Sequence, residues 1–411
     1  MLNYLQLQLY RIINKSHYIR KAACNWNIEI CFTLFILFLF TSWQLNAQSN
    51  DFLLRFKDST TKSFGYKDIK GKIIILPILE RFTTADTFYN IIQAHQKSGF
   101  SEETYFLFRN GKKIKKYSGI DFDFNYDCES EGKIIFRDIK QDRVGYLGKD
   151  GTIVIPAIYN NAHPFFNNMA IVSRNAKKQC DTFGEDTATC ENYSWVDGET
   201  VLINPKNEVL ISNIKGNTNN LNWFSKTINQ PLSDSSIIVS FKATDSSIYS
   251  FIDYEKEFKK WFETKFIQML NQENDSTLKE CFFPVMKYWV IKSSKWTNIS
   301  EKDFLIHYPQ NILKYVFKND HVKQITISAQ PLNQLVFKEK EYRNFFNSCG
   351  THNKEQYPLF DVVISTYKKR KKNLTSKLFS DFDKSYALDY QENFDFIRTK
   401  NNYKLLEVTI R

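Results

Sequence analysis

The sequence has few of the features by which enzymes are usually identified. It contains no P-loop, no dinucleotide-binding G-x-G-x-x-G motif and no G-x-S-x-G nucleophile elbow. Beyond residue 47 no two histidines have a zinc-motif spacing such as H-E-x-x-H: His95, His163, His307, His321 and His352. We therefore expect no catalytic residues, no metal site and no cofactor, and we predict that the protein is not an enzyme.

A long apolar run is also missing near the N-terminus. The apolar segment at residues 30–40 has about 11 positions, whereas a permanent membrane span needs about 20. Four basic residues precede this segment and Ala47 follows it, which predicts a signal peptide over residues 1–47 and an exported, periplasmic or extracellular protein. An uncleaved anchor is the alternative. No cysteine lies at a lipobox position, which argues against a lipoprotein.

Cysteines are scarce, and beyond residue 47 their number is odd: Cys128, Cys180, Cys190, Cys281 and Cys349. Export permits disulfides, and Cys180 and Cys190 lie ten apart in a polar segment, so they are the favoured pair. A Cys281–Cys349 bridge is possible, but no spacing supports it. At least one thiol stays free. No histidine and acid are placed to activate a catalytic cysteine.

Acidic residues are fewer than basic ones, with a formal net charge of +11. Cleavage after Ala47 would remove four Lys or Arg and one Glu, which lowers the charge to +8. An excess of basic residues favours acidic partners, but here the basic residues are spread along the chain. We therefore expect the partner to be an unknown protein or envelope polymer rather than nucleic acid. One dense run is either a solvated hairpin tip or an anion-binding patch: Lys368, Lys369, Arg370, Lys371 and Lys372.

Aromatic and β-branched residues are abundant. The 411 residues are 42% hydrophobic and 16% aromatic, enough to build the cores of two or three domains. Phe and Tyr supply 58 of the 65 aromatic residues. Because the apolar segments are also rich in Ile and Val, we predict a mainly β fold.

The first half contains an internal repeat. The segment 65–77, which begins Gly-Tyr and ends in Pro, recurs at 145–156, and Gly111 lies 40 residues from both Gly71 and Gly151. Each copy predicts a β-hairpin, because Gly permits the positive φ of a tight turn and Pro ends the second strand. One hairpin cannot bury its own apolar face, so neighbouring hairpins must pack together.

This pattern resembles the WG-repeat family, whose unit runs Gly-Tyr-Ile-Asp, a Gly-Lys turn, an apolar strand, Ile-Pro and a Tyr-Asp pair. The resemblance covers about residues 51–215, with a third candidate hairpin at 199–210. The chain departs from the family where Phe64 and Val144 replace the Trp and Asn160 replaces the Asp. The resemblance implies a β-hairpin repeat domain over 48–215 that binds a partner or serves as a scaffold, without catalytic residues.

The second half has a different pattern. Residues 216–250 predict a linker or edge strands, followed by an α+β domain with a curved antiparallel sheet over 251–411. Residues 254–270 have an apolar stripe at helical spacing, and Ser300 with Asp303 predicts a capping box. The order of elements, with Phe-Pro-Val before a strand and a closing hairpin, is similar to nuclear-transport-factor-like domains.

Two functional hypotheses follow. The first is an exported binding or scaffold protein of the cell envelope, which every motif found here favours because each motif is structural. The second comes from the nuclear-transport-factor-like resemblance, which implies a small-molecule or enzymatic pocket between helix and sheet. Its candidate lining residues are Trp289, His307 and Tyr308.

Overall fold

The structure, a computed structural model, describes residues 52–410 with internal gaps. The gaps are 81–84, 99–100, 120, 123–124, 183, 185, 188–189, 191, 231, 273–277, 291–293, 319–321, 371–384 and 401. The predicted signal peptide, residues 1–47, lies outside the described residues. No helix in the described part of the chain is long and apolar enough to cross a membrane.

The chain begins with an antiparallel sheet built around the first hairpin. Its strands are β1 (Leu53–Lys57), β2 (Phe64–Lys67), β3 (Ile73–Leu79), β4 (Thr87–Phe88), β5 (Ile91–Ser98), β6 (Ser101–Phe108) and β7 (Lys113–Ile114). They lie in the order β4-β1-β2-β3-β5-β6-β7. β1 therefore lies next to the short edge strand β4.

The second hairpin lies in a three-stranded sheet, and smaller sheets follow it. The strands are β8 (Asp121–Phe122), β9 (Asn125–Tyr126), β10 (Lys133–Asp138), β11 (Arg143–Gly148), β12 (Ile153–Tyr159), β13 (Asn161–Ala162), β14 (Ala170–Arg174), β15 (Lys177–Cys180), β16 (Tyr193–Val196), β17 (Glu199–Ile203) and β18 (Val209–Ile211). The sheets are β8-β9, β10-β11-β12, β13-β14-β17-β18 and β15-β16. β17 and β18 form the third candidate hairpin.

The two clearest hairpins have the same internal construction. β3 and β12 have the same alternation of buried and exposed positions. A Cβ at Gly65 would lie 2.6 Å from the Ile75 carbonyl oxygen, and one at Gly145 would lie 2.5 Å from that of Ile155, so the strands approach more closely than a side chain allows. This close approach explains the glycine of each Gly-Tyr pair.

The tyrosine of each pair anchors the crossing segment that follows its hairpin. The Tyr66 hydroxyl donates to the Ala85 carbonyl at 2.8 Å, and the Tyr146 hydroxyl donates to the His163 carbonyl at 2.7 Å. Each ring also packs edge-on against a downstream Phe, with centroid distances of 5.1 Å and 4.8 Å. Both hydroxyls therefore have a hydrogen-bond partner in the core. Together with the ring contacts, these hydrogen bonds fix the direction in which the chain leaves each hairpin.

Residues 216–250 contain more regular structure than their polar composition suggests. A three-stranded sheet, ordered β19-β21-β20, is formed by β19 (Leu221–Ile228), β20 (Ile238–Lys242) and β21 (Ile248–Asp253), with a 3₁₀ turn at Ser235–Ile237. Trp223 and Phe251 pack edge-on in its core, 5.7 Å apart. Its first strand, β19, lies in an Asn-rich stretch, where Leu221 and Trp223 are buried and hold the strand against the core.

The second domain consists of a six-stranded sheet with α-helices packed on one face and a 3₁₀ helix on the other. The helices are α1 (Tyr254–Trp261), a π-helical turn (Phe262–Phe266), α2 (Ile267–Asn271), a 3₁₀ turn (Lys279–Cys281), α3 (Glu301–His307), α4 (Gln310–Val316) and a 3₁₀ helix (Lys340–Phe345). The strands are β22 (Phe282–Val290), β23 (Lys295–Ser300), β24 (Lys323–Gln330), β25 (Leu359–Lys369), β26 (Tyr386–Arg398) and β27 (Tyr403–Thr409). They lie in the order β23-β22-β27-β26-β25-β24.

The sheet is antiparallel except where β22 runs parallel to β27. Ser300 caps α3 by accepting from the Asp303 amide, at the predicted capping box. Between α1 and the sheet the interior is filled by aromatic rings, with Phe258 stacked 4.7 Å from Phe360 and edge-on to Tyr403. The prediction of a mainly β fold is confirmed.

Candidate binding groove

A groove of about 1220 Å³ separates the first repeat sheet from the segment 331–352, which connects β24 to β25. One wall is formed by β1, β4 and the residues around them. The other wall is the irregular segment that contains the 3₁₀ helix Lys340–Phe345. Both walls belong to the single compact unit Leu53–Arg411.

The second wall keeps its shape through local turns. The Asn347 side-chain oxygen accepts from the Cys349 amide at 3.0 Å and from the Thr351 amide at 3.1 Å. Gly350 has a φ of +75°, a left-handed conformation that glycine adopts without strain. A Cβ there would also lie 2.4 Å from the terminal amide of Gln334, which would have to move.

Hydrogen bonds join the two walls, and a disulfide ties the second wall to the segment before β10. Cys128 and Cys349 form a disulfide with Cα atoms 6.0 Å apart, although they are 221 residues apart in sequence. The Thr87 amide donates to the Ser348 carbonyl at 3.0 Å. The Gln334 side chain donates to Asp86 at 3.0 Å. These contacts hold the mouth of the groove at a defined width.

Three titratable groups that line the groove, Arg55, Asp86 and His352, are already paired. Arg55 forms an ion pair with Asp86, which also accepts the bond from Gln334. His352 accepts from the Leu332 amide through Nδ1 at 3.1 Å, and its Nε2 lies 2.7 Å from the Tyr357 carbonyl. Burial lowers the pKa of His352 to about 4, so the ring is neutral at physiological pH. All three groups are therefore engaged in contacts of the groove walls.

The first wall is formed by the strands that precede and follow the first hairpin. The second hairpin, β11–β12, has the same arrangement of glycine, turn, proline and tyrosine as the first hairpin.

Residues 145–177 match the family described as WG containing repeat. The chain contains a WG repeat. No curated protein matches it. The nuclear-transport-factor-like resemblance of the second domain stays a prediction.

The structure does not bring the predicted pocket residues of the second domain together. The Tyr308 hydroxyl lies 2.8 Å from that of Tyr288, whereas the next strand residue, Trp289, packs against Trp296 with centroids 5.0 Å apart. Successive residues of a strand point to opposite faces, so Trp289 and Tyr308 lie on different sides of the sheet. His307 is exposed, and its Nδ1 lies 2.7 Å from the Asp303 carbonyl of its own helix. The three residues therefore do not line one pocket.

The predicted anion patch is only partly described. Lys368 and Lys369 are exposed near the end of β25, and Lys368 forms an ion pair with Asp389 at 2.8 Å. Arg370 follows them, and Lys371 and Lys372 lie outside the described residues. The patch is distant in sequence from the WG repeat, and none of its three described members lines the groove.

Two disulfides lie within the described residues. Cys180 and Cys190 are bonded, as their spacing predicts. The suggested Cys281–Cys349 pairing is wrong, because Cys349 bonds Cys128. Cys281 is free and buried, and burial raises the pKa of its thiol to about 12. Its thiolate is therefore scarce at neutral pH.

A row of charged side chains crosses the sheet on the face opposite α1–α4, where the 3₁₀ helix Lys340–Phe345 packs. Asp361 is paired in register with Asp395, Asp395 with Glu407, and Glu407 with Lys287. Lys287 forms an ion pair with Glu339 at 2.7 Å, next to the groove wall. The sequence interpretation missed this row, although Asp395 between Phe394 and Phe396 is an acid inside an apolar strand.

The acids of the row resist ionisation. Burial, and then the charges of Glu407 and Asp361, raise the pKa of Asp395 well above its ordinary value. Burial and the charge of Asp361 raise the pKa of Glu407 to about 7. One oxygen of Asp361 is buried without a hydrogen-bond partner among the described residues. The row therefore holds protons near neutral pH. No group of three or more His, Cys, Asp or Glu within the described ranges could hold a metal ion.

Proposed function

We propose that this WG-repeat-containing protein is an exported binding or scaffold protein of the cell envelope. Its ligand would lie in the groove between the repeat sheet and the second domain. One observation carries the proposal: the Cys128–Cys349 disulfide ties the second wall of this groove to the repeat half of the chain. A pre-organised cleft at a junction between domains is a common place for a ligand site.

Binding rather than catalysis is supported by the state of the lining residues. Asp86 is occupied by Arg55 and Gln334, and His352 uses both ring nitrogens. Neither group is left to act as a general base. The alternative, a small-molecule pocket in the second domain, finds no support in the stacked rings between α1 and the sheet.

Export is supported by the two disulfides, because such bonds form and persist mainly outside the cytosol. The intact mass of protein isolated from the producing cell tests it. We expect an N-terminus at Gln48. A mass that begins at Met1 in the membrane fraction would contradict cleavage and favour an anchored protein.

Photo-crosslinking in the producing cell tests the groove. A photoreactive phenylalanine analogue replaces Leu335, which lines the groove and is 63% exposed. The control carries the same analogue at Ile306, which is 66% exposed on α3 and lies outside the groove lining. We expect an adduct at position 335 and not at 306. Equal adducts at both positions, or none at 335, would refute the binding function of the groove.

A further inference from the structure

The exposed charge on the groove walls is cationic. Lys338 and Arg343 are exposed on the second wall, and neither has an ion pair within the described part of the chain. The acid of the first wall, Asp86, is neutralised by Arg55. A ligand with carboxylates would meet complementary charge on entering this groove.

The same walls expose aliphatic surface. Leu54 is 37% exposed and Leu335 is 63% exposed, on opposite walls of the groove. Aromatic rings also line the groove, among them those of Tyr89, which is 48% exposed, and of the partly buried Phe64 and Phe346. Leu335 is more exposed than any of these rings, and exposed aliphatic surface is suited to aliphatic side chains of a ligand. Apolar groups that flank cations are suited to a peptide that carries both apolar and acidic residues.

The size of the groove also favours a chain over a small molecule. Its volume of about 1220 Å³ exceeds the roughly 300–1,000 Å³ of typical small-molecule sites. The walls are joined by the Thr87–Ser348 and Gln334–Asp86 hydrogen bonds, so the groove does not depend on the ligand for its width. A preformed groove lowers the cost of ordering a flexible ligand.

We propose that the groove binds an extended peptide segment in which acidic and aliphatic side chains alternate. This inference rests on the proposed binding function of the groove. The carboxylates of the peptide pair with Lys338 and Arg343, and its aliphatic side chains cover Leu54 and Leu335. Successive side chains of an extended peptide point in opposite directions, so an alternating sequence can serve both kinds of contact.

Fluorescence anisotropy tests the inference with the oxidised protein and a fluorescein-labelled octapeptide of alternating Asp and Leu. The variant K338E/R343E reverses the two groove cations. The variant K368E/K369E makes the same change in net charge at the end of β25, away from the groove. We expect K338E/R343E to weaken binding by about tenfold or more and K368E/K369E by less than about twofold. Binding should also weaken as salt rises.

Three further probes test which class of ligand the groove binds. We expect weak binding for an Asp-Ser octapeptide, a Lys-Leu octapeptide and alginate, an anionic polysaccharide. If alginate or the Asp-Ser peptide binds as tightly as the Asp-Leu peptide, the peptide assignment is overturned. Equal losses in both double variants would mean general attraction to a basic protein, and no binding of the Asp-Leu peptide would also overturn the inference. In each case the crosslink at position 335 still reports whether the groove is a binding site.

Discussion

Removing the Cys128–Cys349 disulfide should destabilise the protein more than removing the Cys180–Cys190 disulfide. A disulfide limits the conformations of the unfolded chain, and the limit grows with the length of the loop that it closes. The two bridges span 221 and 10 residues. Chain entropy then contributes about 5 kcal/mol for the long loop and about 3 kcal/mol for the short one.

The double variants C128S/C349S and C180S/C190S test this comparison, because neither leaves a partner thiol behind. Urea denaturation followed by tryptophan fluorescence gives the free energy of unfolding, with Trp195 and Trp261 reporting on the two halves. We expect the larger loss of stability, by about 2 kcal/mol, in C128S/C349S. Its m value should also rise, because the unfolded chain is more expanded without the long crosslink.

The comparison has an internal control. Under reducing conditions the parent protein and both variants should have similar stability, since no bridge remains in any of them. If oxidised C128S/C349S is no less stable than oxidised C180S/C190S, loop closure is not the source of the stabilisation. The two halves would then be held together by their noncovalent contacts.

Three further outcomes are expected. E407Q should raise the free energy of unfolding by about 2 kcal/mol at pH 8 and change it little at pH 4. The folded-state pKa of Glu407, about 7, lies above its ordinary value of 4.5, so between these pH values the folded protein binds more protons than the unfolded chain. The free energy of unfolding therefore falls as the pH rises toward 7. A pH-independent effect in urea titrations would contradict this. G145A should cost about 3 kcal/mol or more, because its Cβ meets the Ile155 carbonyl. G71A should cost about 1 kcal/mol, because Gly71 has a φ of +88° but its Cβ would meet nothing within 4 Å. Equal losses in thermal unfolding would refute the close approach at Gly145. Cys281 should react with a thiol reagent only after unfolding, and rapid labelling of the folded protein would show that it is accessible.

Local sequence patterns predicted the parts of the fold that depend on neighbouring residues. The Gly-Tyr and Gly turn positions predicted the hairpins β2–β3 and β11–β12, because a tight turn needs particular φ values wherever it occurs. Ser300 predicted the start of α3, because a helix cap involves only the next three residues. Cys180 and Cys190 were paired correctly because a bridge across ten residues closes a local loop.

Sites that depend on distant strands were not predicted. The register between Asp361, Asp395 and Glu407 is set by three strands whose pairing the sequence does not reveal. The pocket expected at Trp289 and Tyr308 was wrong for the same reason. Trp289 would face Tyr308 only if it pointed to the helix side of the sheet, and the side to which a strand residue points depends on how the strand is placed in the sheet. The groove lies between segments more than 200 residues apart, and no local pattern indicates that they meet.

The sequence by itself determined that this protein is mainly β and that its first half contains hairpin repeats, because turn glycines, prolines and strand alternation act over a few residues. Only the tertiary structure decided that Cys128 bonds Cys349, that the two halves form one groove, and that the sheet of the second domain has a row of proton-holding acids. These features arise from contacts between residues far apart in the chain, and such contacts depend on the packing of all the intervening elements.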